Sequence, residues 1–266
     1  MRRTEQRNPN TMHLDKMSTA EMLWAMQNEN KNAVESVGAA VNQIEQVVDA
    51  IYSKMKQGGR LFYVGCGTSG RLGVLDASEL PPTFGVDSNL AVGIIAGGDR
   101  SLRYASEAAE DSYERGMEDI KAYNLTEKDS IVGISAAGGA AYVISALEYA
   151  NSLGCVTVAM VCNPDTKLSK VAKYTIETDT GAEVVTGSTR MKAGTAQKLV
   201  LNMISTSLMV KLGYVYENLM INLRPTNIKL RQRMIQIVCD VLHCSVEEAV
   251  KRLDENDWVI RKAIEN

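Results

Sequence analysis

The sequence predicts an α/β fold, a three-layer sandwich built around a mostly parallel sheet. Short apolar runs punctuated by glycine recur at 61–65, 90–96, 131–134 and 156–161. Helix-length segments separate them, which is the pattern of βαβ units in a sheet covered on both faces. The chain also has the bulk for such a domain. Its 266 residues are 45% hydrophobic and 23% charged, ordinary values for one large globular domain with small appendages.

Residues 1–16 are polar, contain Asn8-Pro9-Asn10, and read as an extended arm. From Ser18 the pattern turns helical: Met22, Leu23 and Met26 share a face, and Ser18-Thr19-Ala20-Glu21 offers a capping box. A second helix is marked by Val34, Val37, Val41, Ile44, Val47, Val48 and Ile51, until Gly58-Gly59 stops it. The four apolar runs follow. A last strand at 174–178 leads through a glycine-containing loop into a long helix from about 189 to 212. Beyond Pro225, patterns at 229–242, 245–253 and 258–264 predict a small helical appendage. The expected division is 1–50 for the arm and first helices, 51–214 for the α/β domain, and 215–266 for the appendage.

Composition excludes several functions. A net charge of −3 exerts no pull towards nucleic acid or an anionic membrane, and 5% aromatic residues leave little for base stacking. Any anionic substrate must therefore be held by local features. The five cysteines, Cys66, Cys155, Cys162, Cys239 and Cys244, are odd in number and lack Cys-x-x-Cys spacing. They indicate neither a disulfide framework nor a zinc site, and a cytoplasmic location is expected. No apolar run approaches the ~20 residues of a membrane helix. With only His13 and His243, acid–base chemistry falls to carboxylates or lysines.

Ligands of open parallel sheets bind at the carboxyl ends of the strands, where loops run into helix amino termini. After the first strand comes Gly65-Cys66-Gly67-Thr68-Ser69-Gly70-Arg71. Its glycines allow close backbone approach, Thr68 and Ser69 offer hydroxyls, Arg71 offers a charge, and the free N–H groups of the next helix favour an anion. A tight strand-to-helix turn would use the same glycines. The loop lacks the Gly-Lys-Ser/Thr ending of a P-loop and the distal acid of a dinucleotide fingerprint. Two carboxylates stand out beyond it. Glu79 precedes Leu80-Pro81-Pro82 and is expected to close the helix that starts at the glycines. Glu110 is expected near the start of the helix after the second strand, where it would also suit a surface position. Such a pair from adjacent βα units can serve as acid and base around one sugar ring.

Two further segments carry candidates. The loop after the third strand, Ser135 to Ala141, is small enough for a phosphate to approach, with Ser135 as its one hydroxyl and the N–H groups of Gly138 and Gly139 as donors. Near the start of the long helix, Glu183, Ser188, Thr189, Arg190 and Lys192 crowd hydroxyls, an acid and two cations together, an arrangement that points to ligand contact. Capping by Ser188 or Thr189 would leave the charges unexplained.

With these residues in view, the chain resembles the N-acetylmuramic acid 6-phosphate etherases, sugar isomerase (SIS) domain proteins related to the glucokinase regulatory protein. The motifs that carry the resemblance span nearly the whole chain. They are Thr4-Glu5-x-Arg7-Asn8, Gly67 to Gly73 with Asp76-Ala77-Ser78-Glu79, Pro81 to Gly85, Ala96 to Asp99, Ala109-Glu110-Asp111, Gly187 to Thr195, and Pro225-Thr226-Asn227. The resemblance implies a lyase that cleaves the D-lactyl ether at C3 of the amino sugar, giving N-acetylglucosamine 6-phosphate and D-lactate with no metal or redox cofactor. It also implies a homodimer. By motif position Glu110 would take the C2 proton, while Glu79 would protonate departing lactate and then activate water, a role that calls for a buried carboxyl.

One departure matters. Family etherases usually read Ser-x-Ser-Gly-Arg-Thr-Pro-Tyr after the third strand, a loop the resemblance marks as phosphate-binding. Here Ala137, Gly139, Ala140 and Ala141 replace the Ser, Arg, Thr and Pro, and Ala182 stands where Gly-Pro-Glu is usual. Two lost hydrogen bonds to a dianion, at ~1.5–3 kcal/mol each, correspond to ~10² to 10⁴-fold in affinity. The competing readings are a non-catalytic sugar-phosphate-binding regulatory protein, a weakened etherase relative, and an aldose–ketose isomerase.

Overall fold

The computed structural model describes residues 2–104, 106–225 and 227–265, without the Glu107 side chain; Thr226 of the Pro225-Thr226-Asn227 motif lies outside the described residues. Two helices lead, α1 (Thr19–Ala39) and α2 (Val41–Met55). The α/β part follows as β1 (Leu61–Gly65), α3 (Gly67–Phe84), β2 (Ala91–Ile95), α4 (Arg100–Arg103), α5 (Tyr113–Lys121), β3 (Ser130–Ile134), α6 (Ala141–Ser152), β4 (Val156–Val161), α7 (Lys167–Val171), β5 (Tyr174–Glu177) and α8 (Lys192–Lys211). A hairpin of β6 (Val215–Tyr216) and β7 (Leu219–Met220) then precedes α9 (Ile228–Leu242), α10 (Val246–Glu255) and α11 (Ile260–Glu265).

All five long strands are parallel, in the order β2-β1-β3-β4-β5. Each strand's alternate residues feed opposite layers. Tyr63, Val132, Val158 and Ile176 pack on α2, α3 and α8 through Ile44, Val47, Ile51, Leu80, Val200 and Ile204. Phe62, Val64, Ile131 and Ala159 pack on α5, α6 and α7 through Ile120, Val143, Leu147 and Leu168. Burying each such side chain stabilises the fold by about 1.5–3 kcal/mol, which is why the strands read as unbroken apolar runs. A separate cluster of Met234, Val238, Leu253, Ile260 and Ala263 unites the three last helices. At the amino ends of β1 and β3, Asp129 accepts hydrogen bonds from the Arg60 backbone and guanidinium and from Thr126 N. Burial alone would raise the Asp129 carboxyl, but these donors together hold it below the usual carboxylate range.

The structure departs from the sequence reading in five places. The arm is not extended; it folds into 3₁₀ turns at Arg3–Glu5, Pro9–Thr11 and Leu14–Lys16. The apolar series from Val34 to Ile51 spans two helices, because Ala40, at φ −94° and ψ 2°, ends α1 and starts α2 without breaking the three- and four-residue spacing. Helix α3 does not stop at Glu79 but runs through Pro81 and Pro82, held by buried Leu80 and Phe84 and by Asn222 Nδ2 donating to the Phe84 carbonyl. Glu110 lies in a turn after a 3₁₀ segment at Glu107–Ala109, ahead of α5, rather than in a helix. The two-residue strands β6 and β7 are too short to leave a periodic signal.

Candidate active site

The chain runs from β1 to β2 on one side and returns to β3 on the other. The carboxyl ends of β1 and β3 thus form the crevice where such sheets bind ligands. The first wall is the glycine loop. A Cβ at Gly70 would lie 2.5 Å from the Gly65 carbonyl oxygen and 2.7 Å from Ile95 Cγ1, so only glycine lets α3 start this close to the sheet. Gly67, at φ +51°, is exposed and Thr68 is half-buried at the mouth. Ser69 is buried and donates to Gln197 Oε1 at 3.0 Å, tying the loop to α8. The Arg71 guanidinium donates to the carbonyls of Ser101 and Leu102, so its charge holds the turn after β2.

The second wall is the loop after β3. Ser135 is buried, and the Gly138 N–H donates to both its carbonyl (3.0 Å) and its Oγ (3.1 Å). Gly138 adopts φ +63° with its α-carbon against Thr166. The next N–H groups, of Gly139, Ala140 and Ala141, meet no partner among the described residues. Glu110 stands beside this crevice: its carbonyl accepts from Tyr142 N at 3.1 Å, and its exposed side chain lies near Cys66. Burial, with the Glu110 and Asp111 charges adding to it, pushes the Cys66 thiol up to about 12.

Glu79 is elsewhere. It is exposed on α3, twelve positions beyond Gly67, about 18 Å of helix axis at roughly 1.5 Å per residue. It lines a cleft of about 120 Å³ with Leu72, Leu75, Asp76, Lys198 and Asn202. Below it Asp76 is buried and accepts from Asn202 Nδ2 (2.6 Å) and Ser205 Oγ (3.2 Å), which fastens this face of α3 to α8. One chain therefore does not bring Glu79 and Glu110 around one ring.

The cluster at the start of α8 has an internal explanation. Glu183 is fully buried, and its two carboxylate oxygens accept from the N–H groups of Lys192 and Ala193, each at 2.9 Å. A carboxylate at a helix amino terminus is favoured by the macrodipole, although burial pushes this carboxyl up. Lys192 is buried and pairs with Glu29 of α1. Neither Ser188 nor Thr189 caps the helix; both are half-buried in the turn before it. Arg190 alone reaches outward, lining a cleft of about 270 Å³ with Thr68, Gly194 and Lys198.

Sequence reasoning missed Lys198, which lines both the Glu79 and the Arg190 clefts. The available signal was its isolation, as the single charge between Lys192 and Lys211. A larger cleft of about 520 Å³, between β2 and α5, contains none of the candidates. Among the described residues no cluster of three His, Cys, Asp or Glu side chains is arranged to hold a metal, and no helix is long and apolar enough to cross a membrane.

Residues 43–151 match the family described as the glucokinase regulatory protein N-terminal SIS domain, and residues 101–207 match the SIS domain. A phosphoheptose isomerase structure from Francisella tularensis superposes with a TM-score of 0.56 over 72% of this chain and 98% of that one, at 17% identity, which is a likeness of fold. Two bacterial proteins are far closer in sequence. The N-acetylmuramic acid 6-phosphate etherase of Clostridium beijerinckii is 50% identical over 98% of this chain and 86% of its own. That of Halalkalibacterium halodurans is 51% identical over 98% and 88%. Identity at this level, along almost the full length of both chains, places this protein in the N-acetylmuramic acid 6-phosphate etherase family.

Proposed function

We propose that the protein is a carbon–oxygen lyase that cleaves the lactyl ether of N-acetylmuramic acid 6-phosphate, giving N-acetylglucosamine 6-phosphate and D-lactate. The observation that carries this reading is the near full-length identity to etherases, with carboxylates kept at both expected positions, Glu79 and Glu110. The aldehyde of the open-chain sugar acidifies C2. Glu110 takes the C2 proton, and the resulting electron pair forms the C2–C3 double bond as the C3–O bond breaks. Glu79 gives its proton to the departing lactate oxygen. Glu79, now a carboxylate, then takes a proton from water as its oxygen adds to C3, and Glu110 returns a proton to C2.

The active unit in this reading is a homodimer in which one subunit supplies Glu79 and the other Glu110. The ~18 Å of helix between Glu79 and the glycine loop supports it. So does a groove of about 510 Å³ between α2 and α8, where Val41, Ile44, Val48, Met203 and Val210 alternate with polar and charged side chains that include Glu45, Asp49 and Lys211. A second copy on this face would also shield the exposed Glu79, providing the burial that an acid needs. Arg190 and Lys198, whose clefts adjoin Glu79, then supply positive charge for the lactyl carboxylate. The loop after β3 and the glycine loop receive the sugar phosphate. This work belongs in the cytoplasm, where a small phosphorylated sugar is available.

The test is release of D-lactate from N-acetylmuramic acid 6-phosphate by the purified protein, with incorporation of solvent deuterium at C2. Lactate release with deuterium at C2 is expected. Binding of the sugar phosphate without lactate release would favour the regulatory reading instead.

A further inference from the structure

The arm crosses the carboxyl edge of the sheet. Arg3 pairs with Asp179 beyond β5, the Thr4 N–H donates to Asn163 Oδ1 beyond β4, and Asn8 and Thr11 donate to the carbonyls of Ala182 and Val184. Arg2, at the head of this strap, lies over the loop after β3. A Cβ built on Gly139 would fall 3.0 Å from both Cζ and Nη1 of the Arg2 guanidinium. That guanidinium makes no hydrogen bond or ion pair among the described residues. It therefore occupies the space from which a side chain at 139 would grow, above N–H groups that also lack partners.

Donors without partners from two distant parts of the chain thus lie side by side at Gly139. The loop itself brings no cation and, beyond Ser135, no hydroxyl. We propose that Arg2 is a specificity-determining residue of this chain, supplying from the arm the cation that binds the phosphate of the substrate, with Gly139 as the vacancy that admits it. A guanidinium matches a phosphate by two parallel N–H···O bonds. Threading Thr4 and Arg3 onto Asn163 and Asp179 fixes the arm so that little ordering is left for binding. The arm belongs to the same chain as the loop, so the phosphate end of the site needs no partner.

The inference rests on the sugar-phosphate reading above, and the experiment separates the two. Calorimetry compares N-acetylglucosamine 6-phosphate with N-acetylglucosamine on the unaltered chain, Arg2→Ala, and Arg2→Ala/Gly139→Arg. Arg2→Ala should weaken the phosphate ester about 10- to 100-fold, the span of one charge-assisted contact, and leave the unphosphorylated sugar unchanged. Gly139→Arg, returning a cation to the loop, should restore most of the loss. Equal affinity of Arg2→Ala and the unaltered chain for the ester, or equal losses for both sugars, would overturn the role of Arg2. If the unaltered chain itself does not prefer the ester, the sugar-phosphate reading fails, whatever Arg2 does.

Discussion

The start of α8 and the exposed face of α3 look alike as sequence, for each sets a carboxylate among hydroxyls and small residues, yet they are finished differently. At α8, Glu183 and Lys192 meet N–H groups and Glu29 inside the same chain. On α3, Glu79 faces outward over a fastened floor of Asp76, Asn202 and Ser205. A polar cluster that closes on itself builds the scaffold, and one that stays open needs something from outside. The two regions should accordingly respond in opposite ways to substitution.

The largest effect is expected on chemistry. Glu79→Gln and Glu110→Gln should each lower lactate release by ~10² to 10⁴-fold with the melting temperature within about a degree of the parent. Glu110→Gln should also suppress C2 proton exchange, whereas Glu79→Gln should retain it. Mixing the two inactive variants tests the shared site. Random reassortment into dimers should restore about a quarter of the parent activity, since half the dimers then hold one intact site of two. A mixture that stays inactive would return both carboxylates to a single chain.

The next effect is on stability. Lys192→Met leaves Glu29 buried without its cation and should cost about 3–5 kcal/mol, roughly 10 °C in thermal melting. If such a variant instead melts normally and loses substrate affinity, the α8 cluster is a ligand site after all.

The smallest effect lies at the opposite edge of the sheet, where Asp129 is as self-contained as Glu183 but of opposite pH behaviour. Its carboxyl is held down on folding, so its contribution is complete above the ordinary carboxylate range near ~3.9 and fades as pH falls through the lowered folded value. Asp129→Asn should cost roughly 1.5–3 kcal/mol near neutrality. The gap to the parent should narrow in acid denaturation scans below about pH 4. A gap that does not change with pH would mean that the cost comes from packing.

The strands were legible because a sheet covered on both faces demands unbroken apolar runs; 61–65 and 156–161 match β1 and β4 residue for residue. The helix break at Ala40 was not, since the apolar spacing continues across it. Glu79 and Glu110 could be found from motifs, but nothing local reveals that α3 carries them apart. The reach of Glu183 back onto the N–H groups of residues nine and ten positions on was equally hidden, because a closed loop of that length has no fixed spacing. Arg2 left no signal at all: its meaning depends on a glycine 137 positions later.

The strap has a consequence for the order in which the molecule is made. Its bonds join residues separated by 159, 173, 174 and 176 positions. On a ribosome the arm emerges before the groups that hold it, which are complete only when the chain has grown past Val184. Closing so long a loop costs entropy that is recovered only after β4 and β5 have docked. The arm is thus made before the strands it crosses and placed after them, and until then the rim of the sheet stays open. Because Arg3, Thr4, Asn8 and Thr11 all bond to residues beyond β4 or β5, Arg2 is held over its loop only in a chain whose sheet is whole.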